Sequence, residues 1–438
     1  MSTSKRSCAV LLVIAMVLGV AACGASGGGV GDAHLGVPQP DSGSGGGGNG
    51  NGAATTAASA AGPTTPPATA AATTEVPTAE PTPQPATTAA PTPPAVDAFV
   101  ADIFWYTYAD TYLSQVRGAM EAYLDAAPGI DYAMADCESD QARQTQMVED
   151  ALARGADLLI VNIVQTGSEE AAQDICDMAK SAGVPIVFFN REVGDSVVNS
   201  YDRCCFVGTD ANEAGYMQGQ AVAEYLLEGG NLAKCDLDGD KQIKYVMFRG
   251  ESGCSGEAYG RTKYSVQEAN RLLEGSGYKL APSPANAVSA QYDDDGISNY
   301  FLYGNWSAAE AANLMRGALS EHRLDDGAIE LVIANNDDQA IGAIEAMNEL
   351  GYNTGAEDAG YIPTFGVDAT DVAQDAIAAG KMTATVLQDA DGLAECIALL
   401  AANAADGQNL MSDTGRFTNI DAGAPKIRIP YVIIKQRS

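Results

Sequence analysis

The sequence predicts an α/β protein built from parallel, doubly wound sheets arranged in two lobes. Three observations point there. From Phe99 onward, short apolar runs alternate with amphipathic stretches. Several runs are continuously apolar, as expected of parallel strands covered on both faces. About 340 residues follow the low-complexity start of the chain, enough for two lobes of ordinary domain size.

The strand candidates are 103–108, 158–164, 186–190, 205–208, 245–249, 331–335, 363–367 and 384–387. Between them the helical period predicts helices over 141–154, 169–182, 213–228, 308–321 and 338–350. Strand-helix-strand alternation favours parallel sheets. Such sheets present ligand groups at the carboxyl ends of their strands. Polar residues stand at those ends: Asp110, Asn162, Asn336, Asp368, Gln388 and Asp389. Asn or Asp in this position is also a common helix cap.

The chain begins with Lys5 and Arg6, then an apolar stretch from Ala9 to Val20 that is too short to span a membrane. It ends in Val20-Ala21-Ala22-Cys23, which resembles a bacterial lipoprotein signal with Cys23 as the lipidated residue. Residues 24–97 contain no aromatic residue, Lys or Arg, and run from Gly/Ser-rich to Ala/Thr/Pro-rich. That composition predicts a disordered tether, about 50 Å long as a coil. The expected mature protein is lipid-anchored outside the cell membrane, not membrane-spanning.

A formal charge of −33 argues against nucleic acid or an anionic lipid surface as partner. The two histidines, His34 and His322, lie in the tether and in a helix-loop region, so no Ser-His or His-metal centre is expected. A carboxylate pair could serve a glycosidase, but nothing else supports an enzyme. No CxxC or Cys/His spacing suggests zinc. Seven cysteines remain after Cys8 and Cys23, an odd number that leaves at least one thiol free or paired between molecules.

Eight stretches stand out in order: Tyr106-Thr-Tyr-Ala-Asp110, 183–192 (GVPIVFFNRE), Ser200-Tyr-Asp, Val207-Gly-Thr-Asp210, Val332-Ile-Ala-Asn-Asn-Asp337, Phe365-Gly-Val-Asp368, Thr385-Val-Leu-Gln-Asp389 and Ile429-Pro-Tyr-Val432. On these the sequence, from about residue 101 to 433, resembles the periplasmic galactose/glucose-binding proteins, type I periplasmic binding proteins of sugar ABC transporters. The resemblance implies two Rossmann-like lobes joined by a three-strand hinge. The first lobe would hold 98–185 and 390–427, the second 186–389 and 428–438. Cys204, Cys205, Cys235 and Cys254 would then share the second lobe and pair within it.

The implied function is extracytoplasmic capture of a monosaccharide, glucose- or galactose-like, for an ABC permease. Signalling to a chemoreceptor or sensor kinase is the alternative. A monomer is expected. The implied sugar site takes Asp110 and Asn162 from the first lobe, Glu257, Arg261, Asn336 and Asp368 from the second, and Gln388 from the hinge. Tyr112 and Trp306 would cover the two faces of the sugar ring, while Trp105 would be packing. Asp110→Ala and Arg261→Ala are expected to weaken binding far more than folding. The sequence departs from the family pattern at Glu257, Tyr112 and Gln388, lacks a usual His before Arg261, and carries an insertion at about 281–303. Sugar identity therefore stays open.

Asp236-Leu-Asp238-Gly-Asp240-Lys-Gln242 has the alternating oxygen ligands of a calcium loop. The resemblance adds Glu330 as the distant ligand and implies a structural Ca²⁺. It also sets Lys244 where the family has a ligating Gln, and an ammonium cannot ligate.

Overall fold

The computed structural model describes residues 98–166, 169–251, 256–288, 300–356, 359–417 and 419–436. The signal, Cys23, the tether, Cys254 and residues 289–299 of the 281–303 insertion lie outside the described residues.

The chain runs β1 (Phe99–Trp105), α1 (Thr111–Asp125), β2 (Ile130–Asp136), α2 (Gln141–Arg154), β3 (Leu158–Val161), α3 (Glu169–Ala182), β4 (Ile186–Phe189), α4 (Asp195–Asn199) and β5 (Cys204–Gly208). It continues through α5 (Ala211–Leu227), α6 (Asn231–Cys235), β6 (Gln242–Arg249), α7 (Gly256–Leu273), β7 (Lys279–Pro282), β8 (Ala287–Val288), β9 (Tyr300–Tyr303) and α8 (Ala308–Glu321). Then come β10 (Leu331–Ala334), α9 (Asp337–Asn348), β11 (Thr364–Phe365), α10 (Asp371–Ala378) and β12 (Ala384–Gln388). The last part holds α11 (Ala390–Ala405), β13 (Asn419–Ile420), β14 (Lys426–Arg428) and β15 (Tyr431–Lys435).

Two sheets form. The first has the order β13-β14-β5-β4-β3-β1-β2, and the second runs β15-β12-β11-β10-β6-β9-β8 with β7 beside β6. The central pairings of both are parallel. The four-residue apolar runs of β3, β4 and β10 are buried throughout. Helices on both faces of each sheet explain why no polar alternation marks them.

The lobe boundary differs from the expectation. β4 and β5 belong to the first sheet: Val161 pairs with Phe188 and Phe189 with Val207. The chain therefore first leaves the first lobe after Gly208, not at 185. It returns after Gln388 into α11, which packs on α1, and crosses a third time between Arg428 and Tyr431. Consequently Cys204 and Cys205 sit in the first lobe with Cys137, Cys176 and Cys396. Of the four cysteines expected to pair in the second lobe, only Cys235 is there among the described residues. β2 was not anticipated. It is an edge strand whose side chains are mostly half-exposed, so it carries no apolar run.

Candidate functional site

Strand ends from both sheets meet at one small cavity. Its lining comprises Tyr106, Asp110, Tyr112, Asn190 and Arg191 from the first lobe, Glu251, Glu257, Arg261, Trp306, Asn336 and Asp368 from the second, and Gln388 at the hinge. Eight of the nine sugar-site residues expected from the sequence are thus brought together.

Asn162 is the exception. It is fully buried behind the wall, where its amide donates to Phe189 O (3.0 Å) and Asn190 Oδ1 (3.1 Å), and its Oδ1 accepts from Tyr106 N (3.3 Å). It therefore positions Asn190, which lines the cavity in its place. Asn190 has φ of 62°, a left-handed conformation that Asn tolerates. Both asparagines end apolar strands, so the strand-end signal alone does not tell them apart.

The capping reading also holds, alongside the lining one. Asp110 Oδ1 accepts from Leu113 N (2.8 Å) at the start of α1, while Oδ2 accepts from Tyr106 Oη (2.8 Å). Asn336 Oδ1 caps α9 through Gln339 N (3.1 Å), and its Nδ2 donates to Trp306 O (3.2 Å). One side chain fixes a helix and the cavity wall together, so the wall is as rigid as the helix termini.

Trp306 is half-buried and presented by two successive left-handed residues, Asn305 (φ 48°) and Trp306 (φ 59°). Its indole lies over Gly250, where an added Cβ would come within 2.2 Å of the ring. Strain in a bulky residue and a missing side chain beneath it both serve to place the ring. Trp105, in contrast, is buried in the first-lobe core, edge-on to Phe189 at 5.0 Å.

Arg261 is almost fully buried. Its Nη1 donates to Asn335 O (2.9 Å) and pairs with Asp368 Oδ1 (3.5 Å); its Nη2 donates to Gln388 Oε1 (2.7 Å) and Tyr431 Oη (3.2 Å). Among the described residues, Arg261 Nε and Tyr112 Oη find no hydrogen-bond partner. Buried polar atoms left this way are costly unless a ligand completes them.

Sequence reasoning missed four lining residues: Tyr106, Asn190, Arg191 and Glu251. The Arg191 guanidinium stacks on the Tyr106 ring (4.2 Å) and pairs with both Glu251 oxygens (3.0 and 2.7 Å) across the cleft. Three further contacts join the lobes: Thr111 Oγ1 to Asp338 Oδ2 (2.7 Å), Thr166 Oγ1 to Glu251 Oε1 (3.4 Å) and Glu192 N to Glu257 Oε1 (2.8 Å). The lobes are closed.

Beneath the site, burial raises the Asp368 carboxyl well above its usual range and raises Asp337 to about 7. In the unfolded chain these carboxyls ionise near 4, as is typical (~3.9). The folded protein therefore binds more protons between about pH 4 and 7, and stability from Asp337 falls as pH rises through that window. The sugar-free Tm is expected to rise between pH 7.5 and 5.5, and Asp337→Asn to flatten the rise. An equal slope in the variant would contradict the assignment.

Away from the cleft, Asp236, Asp238 and Glu330 bring ligand atoms within 4.8 Å of one another. Asp240 and Gln242 turn to each other, Gln242 N donating to Asp240 Oδ1 (2.7 Å) and Nε2 to Oδ2 (3.1 Å). The Lys244 ammonium reaches Asp238 Oδ2 (2.7 Å) and Asp240 Oδ2 (3.0 Å). Both Glu330 oxygens already accept main-chain N–H groups, from Leu237 (2.7 Å) and Lys244 (2.8 Å). As arranged, Asp238 and Asp240 are paired with the Lys244 ammonium and Glu330 accepts two main-chain N–H groups, while Asp236, Asp238 and Glu330 stand close enough together to share an ion.

Two lobes that close polar strand ends on one small cavity define a two-lobed solute-binding protein. The chain belongs to the periplasmic binding protein family: residues 100–409 match the family model described as "Periplasmic binding protein domain". It is 31% identical to the D-galactose/methyl-galactoside binding periplasmic protein of Haemophilus influenzae, over 75% of this chain and 86% of that protein. A solute-binding protein of Bacillus halodurans with bound myo-inositol superposes with a TM-score of 0.57 at 24% identity, covering 78% of this chain and 96% of that one. One from Clostridium phytofermentans with bound β-D-glucose gives 0.58 at 17%, covering 77% and 94%. Members of the family are substrate-binding transport proteins and not enzymes, and they work outside the cytoplasm. Among the described residues no helix is long and apolar enough to cross a membrane.

Proposed function

We propose that the cleft captures one monosaccharide of hexose size, glucose- or galactose-like, and that the loaded protein delivers it to the permease of an ABC importer. The observation that carries this reading is the lining itself. Arg261 Nε and Tyr112 Oη lack partners, and stand among carboxylates and amides with the Trp306 ring as a wall. Sugar hydroxyls would complete the polar atoms, and a ring face would cover the indole. The binding named for the Haemophilus relative supports a hexose. Calorimetry and thermal shift with a panel of aldohexoses, pentoses and inositols test it. One or a few sugars are expected to raise Tm through binding to the folded state alone. No response to any of them would overturn the reading.

We further propose that the acidic loop accepts calcium only when Lys244 is displaced, because the ammonium already neutralises Asp238 and Asp240. Neither EDTA nor millimolar calcium is expected to move the wild-type Tm. Lys244→Gln, which exchanges the cation for an oxygen ligand, is expected to gain a calcium-dependent rise of several degrees. A wild-type protein that EDTA destabilises would refute this.

Cys23 is proposed as the lipidation site, tested by metabolic labelling of wild type against Cys23→Ser. A sensing role through a chemoreceptor or sensor kinase would use the same closed state, and pull-down with the loaded protein would distinguish the two partners.

A further inference from the structure

Helix α3 crosses the face of the first sheet with Cys176 on its buried side, and strand β5 starts with Cys204 against it. Both side chains belong to one apolar cluster and are almost wholly buried. The intervening turn folds the strand back onto the helix: Cys204 N donates to Tyr201 O (3.1 Å), and Lys180 Nζ on α3 donates to Ser200 O (2.7 Å). Cys176 Sγ lies 3.5 Å from Ser200 Oγ and 3.7 Å from Val197 O. Ser200 stands in the turn that leads into Cys204, so Cys176 is packed against the approach to that residue, and both thiols are unbridged in this structure. The neighbouring Cys205 points to the other face of the sheet, into a separate cluster with Cys396, as strand alternation requires.

We propose that Cys176 and Cys204 are joined by a disulfide in the exported protein, a covalent staple between α3 and the foot of β5. The family's location outside the cytoplasm is where such bonds form and persist. The bond forms by exchange with an external disulfide, such as oxidised glutathione or a thiol-disulfide oxidoreductase. A Cys176 thiolate attacks the donor, releasing one donor thiol. Cys204, on losing its proton, then displaces the second. Two S–H bonds are lost, one S–S bond forms, and the donor disulfide is reduced to two thiols. The hydrogen bond from Cys204 favours the first step, since it holds the Cys176 thiol down at about 7 despite burial. Because both thiols are sealed in the folded lobe, exchange takes place during folding or local opening.

Cys204 pairs in register with Ile186, the first residue of β4, at the strand ends opposite Asn190 and the cleft. The staple should therefore leave sugar binding unchanged and act on stability alone. It closes a loop of about 28 residues, long enough to matter for the unfolded chain.

The test refolds the reduced full-length protein in a glutathione redox buffer, blocks thiols with N-ethylmaleimide, and maps peptides without reduction. A peptide linking Cys176 to Cys204 is expected, with Tm lowered by about 5 °C by reductant and in Cys204→Ser. Cys205→Ser should keep the link, and sugar affinity should match wild type in both variants. Maleimide on both Cys176 and Cys204 after oxidative refolding would overturn the proposal, as would a link from either to another cysteine. The wild-type map stands even if a variant fails to fold.

Discussion

Arg261→Ala is expected to weaken sugar binding roughly 10- to 150-fold and also to lower the sugar-free Tm by roughly 5–10 °C. The second effect departs from what the sequence alone suggests, a cleft residue carrying little of the fold. Arg261 is buried and its fork ties four elements, meeting Asn335 after β10, Asp368 after β11, Gln388 on β12 and Tyr431 on β15. Removing it leaves buried acceptors on Asn335, Asp368 and Gln388 without their donor, a loss of about 1–3 kcal/mol for each group left unsatisfied. Affinity is lost separately, because Nε is the donor left for a ligand. A charge-assisted bond of about 1.5–3 kcal/mol corresponds to roughly 10- to 150-fold. Arg261→Lys keeps the charge near Asp368 but cannot reproduce the planar fork, so it should recover part of the Tm and little of the affinity. Asp110→Asn is the companion variant. It retains an oxygen for the Leu113 N–H cap and loses the carboxylate, so binding should fall with Tm nearly unchanged. Thermal melts and calorimetry on the three variants separate the two effects. Wild-type Tm and affinity in Arg261→Ala would remove Arg261 from both roles.

The contrast between Arg261 and Arg191 also marks what the sequence could convey. Arg261 follows a motif and was anticipated as a lining residue, yet its ties to β12 and β15 depend on where the chain crosses between lobes. Arg191 lies in the family-matching stretch 183–192 but was given no role in the site. It becomes part of the wall only because the closed lobes bring Glu251 against it, and no local pattern encodes a contact between residues 60 apart. The same holds for the lobe boundary. The apolar runs of β4 and β5 identify strands, but strands buried on both faces look alike in either sheet, so the sequence reading set both in the second lobe, and only pairing with β3 and β14 places them in the first. Where one residue satisfies a local rule and lines the cavity as well, as Asp110 and Asn336 do by capping helices, the sequence was sufficient.

Gly250→Ala is expected to weaken sugar binding nearly as much as Trp306→Ala, although it adds one methyl group and touches no ligand. The indole occupies the volume a Cβ would fill at Gly250, 2.2 Å from the ring carbons. A shift of the neighbouring chain cannot relieve this cheaply, since Gly250 N is held by Asn335 Oδ1 at 3.1 Å. The ring must move instead, and the left-handed pair Asn305-Trp306 leaves it few alternatives. A displaced ring loses the apolar area it buries against the C–H face of the sugar, worth about 1–2 kcal/mol for some tens of Å² at ~25 cal/mol per Å², or roughly 5- to 30-fold. The sugar-free fold should be spared in Trp306→Ala, because the side chain is half-buried at the cleft and not part of either core. Fluorescence supplies an independent reading. Trp105 is sealed in the first-lobe core, so any sugar-induced change must come from Trp306. Trp306→Phe should therefore bind with modestly reduced affinity by calorimetry and show no fluorescence change. If the sugar signal persists in Trp306→Phe, or Gly250→Ala binds as wild type does, Trp306 is not the wall on which the sugar ring rests.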